Sequence, residues 1–259
     1  MQAQGGPGMW WPVTWRLVPE GQFDAASNMA LDQAIQERVA EGADPVIRFY
    51  RWEPAAVSIG YFQSLEREVD IEACESADID YVRRRTGGGA VYHDPAGELT
   101  YSVIAPEENY SADIEASYRE ICERVLDGFD RLGIDADFAP INDIEYDGRK
   151  LSGNAQTRRN GVLLQHGTLL YDLDPDEMFT ALSVDEAKLS DKAIEAARNR
   201  VATVSSVSDA SMADLRSAMI EAFTAGRNYR VDDYHAAELD RAERLAEEKY
   251  RTDAWNRDG

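Results

Sequence analysis

The sequence predicts an α+β protein, a mostly antiparallel sheet flanked by helices. Asp147-Gly148 and Asn160-Gly161 each join two strand-like runs, and such dipeptides suit two-residue hairpin turns. Apolar residues also recur at helical spacing in long blocks, most clearly from Ala112 to Leu132. With 259 residues, 44% of them hydrophobic, the chain can bury a sizeable core.

The first helix is expected over residues 28–43, where Leu31, Ile35 and Val39 share a face, with Ser27 as N-cap and Gly42 near the end. Residues 46–50 and 56–60 read as strands flanking Glu53-Pro54, because proline interrupts pairing. Further strands are expected over 81–84, 90–93 and 98–104. In 112–132, Ile114, Tyr118, Ile121, Val125, Phe129 and Leu132 form one core-facing stripe, and Gly133 stops the helix. Cys122 beside that stripe reads as packing; Cys74 lies in a charged helix-like segment with no cation to activate it. Strands follow over 145–146, 151–156 and 162–171. After Asp174 the chain turns helical: Met212, Leu215, Met219 and Phe223 repeat as core residues, and 236–250 is a charged helix.

Against 49 Asp and Glu stand 27 Lys and Arg, a formal charge of −22. That argues against nucleic acid and anionic lipid as partners, since both need a clustered cationic face. No run approaches the roughly 20 apolar residues of a membrane span. Residues 1–12 carry neither the basic residue nor the apolar run of a signal peptide, so a cytoplasmic protein is expected. Two cysteines and three histidines show no metal-ligand spacing. Lysine occurs only at 150, 188, 192 and 249. A carboxylate-rich, lysine-poor surface suits a high-salt cytoplasm such as a halophilic archaeon's; an ordinary acidic protein is the alternative.

Three segments carry chemistry. The first runs Arg83-Arg84-Arg85-Thr86-Gly87-Gly88-Gly89-Ala90-Val91-Tyr92-His93-Asp94. Successive glycines weaken a strand but offer unhindered backbone N–H groups, an anion nest. The preceding arginines alternate, so Arg84 points opposite to Arg83 and Arg85. Together they suit phosphate or carboxylate, although a flexible turn beside a basic strand would look similar. The second is Asn142-Asp143-Ile144 with Gly148-Arg149-Lys150-Leu151-Ser152-Gly153-Asn154-Ala155-Gln156. Lys150 is the first lysine of the chain, and its ammonium could stabilise charge on a phosphate or an acyl oxygen. In the third, Gln165-His166-Gly167-Thr168, His166 could orient a substrate, act as a base or be a satisfied core histidine. No P-loop, dinucleotide fingerprint or serine-hydrolase elbow occurs.

These segments, in this order, resemble the lipoate–protein ligase A family, within the superfamily that holds biotin–protein ligases and octanoyltransferases. Weaker echoes are Asn28-Met29-Ala30-Leu31-Asp32 and Glu247-Glu248-Lys249-Tyr250 with Asp253-Ala254-Trp255-Asn256. The resemblance implies a biotin/lipoate-ligase-like catalytic domain at 14–208, after a flexible lead at 1–13, with 209–259 as a helical segment packed on it. It also implies a ligase that joins lipoate to AMP from ATP and passes the lipoyl group to a lysine of an acceptor domain. Acceptors would be the E2 component of 2-oxoacid dehydrogenases and the glycine cleavage H protein. Arg84 and the backbone of Gly89, Ala90, Val91 and Tyr92 would hold ATP and the adenylate. Lys150 would bridge lipoate and the α-phosphate, with Gly88 and His166 on the lipoate side. Arg83, Asp143, Ser152 and Asn154 would support, and Mg²⁺ would accompany ATP without a protein metal motif. Because the chain ends soon after Trp255, a separate accessory chain is expected for adenylation. The rivals are an octanoyl or lipoyl transferase working from an acyl carrier without ATP, and a non-catalytic relative that binds lipoyl domains. Cysteine-using transferases carry their nucleophile shortly before Gly-Arg-Lys, whereas residues 135–140 here contain no cysteine. That absence favours the ligase reading.

Overall fold

The computed structural model describes residues 13–182 and 200–257. The expected lead, apart from Val13, lies outside them, as does part of the helical stretch after Asp174. The strands are β1 (Thr14–Val18), β2 (Gln22–Phe23), β3 (Val46–Trp52), β4 (Ala56–Ile59), β5 (Asp80–Arg83), β6 (Val91–His93), β7 (Glu98–Pro106), β8 (Asp137–Ala139), β9 (Asp143–Tyr146), β10 (Arg149–Arg159), β11 (Val162–Leu170) and β12 (Asn228–Val231). A nine-stranded sheet runs β12-β1-β3-β7-β11-β10-β9-β8, with β2 beside β3, and a second sheet runs β5-β4-β6. From β3 to β8 every pairing is antiparallel. β1 joins β3 and β12 in parallel, and β4 joins β5 in parallel. The fold class is as expected, a mixed sheet flanked by helices.

Both hairpins form where two consecutive residues can take positive φ: Asp147 and Gly148 at 50° and 70°, Asn160 and Gly161 at 53° and 75°. The first helix is Ala25–Ala40, three residues earlier than its spacing indicated. Asp24, not Ser27, is the cap, because its carboxylate accepts the Ser27 N–H at 2.7 Å. Gly42, at φ 95°, closes the far end. Nearly the whole helix is buried, including the polar residues Asn28, Asp32, Gln33 and Gln36. Of these, Asp32 reaches β11, its carboxylate 3.0 Å from His166 Nδ1.

The Ile114–Asp130 helix buries Tyr118, Ile121, Cys122, Val125 and Phe129. Ile114 departs from the expected stripe: it is 63% exposed, in the first turn beyond the cap Asp113. The Met212–Thr224 helix crosses it closely, since a Cβ at Gly128 would meet Met219 Sδ at 2.4 Å. The expected 236–250 helix is Ala236–Leu245 followed by a π-turn at Ala246–Tyr250. Arg16 on β1 and Glu238 on that helix form a pair at 2.6 Å, each 1% exposed.

Candidate active site

A pocket opens between the two sheets. Its walls include Trp52 of β3, Ser58 of β4, Thr100 of β7, Lys150 of β10 and His166 of β11, and residues 88–91 form a strap across it. The alternation of the three arginines decides what faces it. Arg83, fully buried, points away and donates to the carbonyls of Tyr61 (2.9 Å), Gln63 (2.5 Å), Trp255 (2.9 Å) and Asn256 (2.8 Å). It anchors the C-terminal segment behind the site. Arg84 faces the pocket from beneath the strap.

Arg84 spends its donors on its own loop. It reaches the carbonyls of Ser58 (3.0 Å), Gly87 (2.7 Å) and Gly89 (2.8 Å), and the Thr86 hydroxyl (3.1 Å). No carboxylate pairs with it among the described residues. Burial brings this guanidinium down to about 10, so it stays charged at neutral pH. The carbonyls of Gly87 and Gly89 point down to Arg84, while the N–H groups of Gly88 and Gly89 have no partner among the described residues. Gly60 lets the strap sit this low, because a Cβ there would lie 2.0 Å from Gly88 O.

Two hydroxyl–histidine–carboxylate chains brace the guanidinium. Ser58 Oγ and Thr86 Oγ1 each lie within 3.3 Å of an Arg84 nitrogen, which can only donate. Both hydroxyls therefore turn their protons to histidine: Ser58 to His93 Nε2 and Thr86 to His166 Nε2, each at 2.8 Å. His93 Nδ1 then donates to Glu98 at 2.9 Å and His166 Nδ1 to Asp32 at 3.0 Å. The distances are those of a nucleophile triad. Yet Ser58 is 2% exposed and its oxygen already accepts from Arg84, which quenches nucleophilicity. Bracing is the better account. Burial lowers the His166 pKa below its ordinary value, so this ring is neutral at neutral pH. Burial opposes ionisation of Asp32, but the Arg48 charge and the His166 hydrogen bond outweigh it and the pKa is lowered.

Lys150 sits where β10 bulges between Lys150 and Ser152. Its N–H donates to Arg200 O and its carbonyl accepts from Ala202 N, both at 2.8 Å, so the backbone is held from the side opposite β9. Its Nζ lies 2.9 Å from Asp143 Oδ1, and the side chain is 42% exposed. The ammonium folds over Gly153: a Cβ there would lie 2.7 Å from Nζ. Asn154 also lines the pocket, accepting from Tyr101 OH at 2.6 Å and donating to Asn142 O at 2.9 Å. Ser152 is buried behind the wall, and the Tyr92 hydroxyl turns outward to Glu177 at 2.8 Å.

Of the residues singled out from sequence, the pocket thus gathers Arg84, Gly88, Gly89, Ala90, Val91, Lys150, Asn154 and His166. Asp143 touches it through Lys150, whereas Arg83, Tyr92 and Ser152 stand outside the lining. Sequence reasoning missed Trp52, Ser58, Thr100 and the His93–Glu98 pair.

Both cysteines lie outside the pocket lining and are fully buried. Burial pushes the Cys122 thiol up to about 12 and the Cys74 thiol up to about 11. Neither is an activated thiolate. The fit to ATP phosphates is poor at Arg84, whose donors are already engaged. No cluster of three or more His, Cys, Asp or Glu able to hold a metal occurs among the described residues. None of their helices is long and apolar enough to cross a membrane.

Two layered sheets, a glycine strap over a buried guanidinium and a lysine on a bulged strand place the chain in the lipoyl protein ligase A/B catalytic-domain family, to which it belongs: the family's model matches residues 24–224. Octanoyltransferase LipM of Bacillus subtilis is 38% identical over 273 aligned residues, covering 94% of this chain and 98% of that protein. The protein of that name in Staphylococcus aureus is also 38% identical, covering 93% and 98%. A bipartite lipoate protein ligase from the archaeon Thermoplasma acidophilum superposes with a TM-score of 0.86 at 34% identity, covering 95% of this chain and 96% of that one.

These relatives correct one expectation. The motif resemblance implies an ATP-dependent, AMP-forming ligase, with the missing cysteine in its favour, but octanoyltransferases match nearly the whole chain and favour acyl transfer, the rival reading. An amine can attack an activated acyl group directly, so a missing thiol does not imply adenylation.

Proposed function

We propose that the protein is an acyltransferase. It moves a medium-chain acyl group of the octanoyl or lipoyl kind from a carrier thioester to a lysine amine of a lipoyl domain, without ATP. The observation that carries this is the charge arrangement of the pocket: a buried, carboxylate-free guanidinium beneath open Gly88 and Gly89 N–H groups, with the Lys150 ammonium on the facing strand. Such groups stabilise negative charge that develops on an acyl oxygen, and burial strengthens them. Met29, Tyr50 and Trp52 give the pocket an apolar wall for the acyl tail.

The acceptor amine, in its neutral form, bonds to the acyl carbon. The carbonyl electrons move onto oxygen, where Lys150 and the strap N–H groups hold them. On collapse the C–S bond breaks, and the departing sulfur takes the proton that the amine gives up. Asp143 positions Lys150; Arg84, His93 and His166 hold the strap; Asn154 fixes the opposite wall. The accessory chain expected for adenylation has no part in this reaction.

The test mixes the protein with an octanoyl carrier thioester and an unmodified lipoyl domain, and follows acceptor mass. Octanoylation without ATP is expected. Modification that appears only with free acid and ATP would overturn the proposal.

A further inference from the structure

On the far side of the arginine strand, three cations converge without carboxylate partners among the described residues. Arg85 turns away from the pocket and donates to Gln36 Oε1 at 2.7 Å. Arg159, the last residue of β10, lies 5.2 Å from the Tyr61 ring centroid, and its buried Nε has no acceptor. Lys249 donates to Gln33 Oε1 at 2.8 Å and sits 3.8 Å from the Trp255 ring centroid. Each is partly buried. The carboxylates that face this group are committed elsewhere: Glu37 to Arg241 at 2.8 Å, and Asp32 to Arg48 at 2.8 Å. Tyr250 packs beside them, and Glu248 faces Arg241. In a chain of charge −22, leaving three adjacent cations without a carboxylate is a costly arrangement. Like charges held together and half-desolvated call for an anion.

We propose that Arg85, Arg159 and Lys249 form a binding site for a phosphate-class anion, on the flank of the glycine strap opposite the pocket. Resting on the acyl-transfer reading, the site receives the phosphate of the carrier's prosthetic arm while the thioester enters the pocket. Two guanidinium forks and one ammonium match the several oxygens of a phosphate better than a lone carboxylate. Tyr61 and Trp255 shield the cations from water. The geometry also links the site to the proton. Burial, then the charges of Arg85 and Arg159, bring the Lys249 ammonium down to about 7. A bound anion favours the charged form, so binding just above neutral pH draws in a proton.

The experiment has two arms. Titration calorimetry with inorganic phosphate near pH 8, in buffers of differing ionisation enthalpy, should show binding coupled to proton uptake. Weak or absent binding, or binding without uptake, overturns the site. The second arm compares octanoyl-pantetheine with its 4′-phosphate as acyl donors. The phosphate should lower KM at least tenfold, and an Arg159→Gln, Lys249→Gln variant with unchanged near-UV circular dichroism should lose that preference. Phosphate binding without donor preference would mean that the site takes free phosphate and not the arm. If neither donor is used, the transfer reading fails while calorimetry still decides the site.

Discussion

The Lys150 ammonium is partly exposed, and its removal separates chemistry from folding. Lys150→Ala should lower kcat/KM by about 100-fold or more, the usual loss when a charge stabiliser is removed. Its melting temperature should stay near wild type, because a side chain 42% exposed contributes little to stability. A variant with near-normal turnover would remove Lys150 from the mechanism. His166 gives a pH prediction of definite sign. Its folded pKa is lowered by burial, so above about 6.5 both folded and unfolded states hold a neutral ring. Below that value the unfolded chain takes up the proton first, and stability falls with pH. Thermal melts should show this slope, and His166→Gln should flatten it; an unchanged slope in the variant would assign it to other groups. Lys150 was legible in the sequence because no lysine precedes it. His166 was ambiguous, since one histidine in an apolar strand fits either role. The His93–Glu98 and His166–Asp32 pairs were hidden, because hydrogen bonds across β-strands and between distant segments leave no spacing signal.

At the scale of elements, two glycines allow opposite predictions. Gly153→Ala puts a methyl 2.6 Å from Lys150 Cε, the end of a flexible side chain that can swing aside. Activity should drop with little change in melting. Gly60→Ala puts its methyl 2.0 Å from Gly88 O, a backbone atom that yields only if the strap lifts. Both activity and melting temperature should fall, and assays paired with calorimetric melts would distinguish the two. If Gly60→Ala melts like wild type, the strap is not held down as described. The hairpins and the Ile114–Asp130 helix were readable because turn chemistry and apolar period agree locally. β1 and β12 were not read at all. They are five- and four-residue strands whose parallel partners are set by tertiary packing, and β12 is exposed along its length.

Taken whole, the molecule is a strongly acidic body in which four arginines, Arg16, Arg48, Arg83 and Arg84, are buried among the described residues. Carboxylate repulsion is screened beyond a Debye length, about 10 Å at 0.1 M salt and 3 Å at 1 M. The melting temperature should therefore rise by several degrees over that range, and a flat or falling response would show that the −22 charge is not a dominant strain. The Arg16–Glu238 pair ties the first strand to the C-terminal helix. Glu238→Ala removes two charged hydrogen bonds and leaves Arg16 with Asp232 at 3.3 Å and the Asp233 carbonyl at 2.9 Å, for a loss of about 1.5–3 kcal/mol, read as a melting decrease of roughly 5 °C. A drop of only a degree or two would show that Arg16 finds another partner. Acyl transfer by the assembled pocket, with no thiol of its own, is tested most directly by a single turnover of a Cys74→Ser, Cys122→Ser variant. Mixed with octanoyl carrier and lipoyl domain and no ATP, the variant should acylate the domain at the wild-type rate, with no acyl-enzyme in quenched mass spectra. Loss of transfer in a folded variant, or an acylated cysteine in the wild type, would contradict the account.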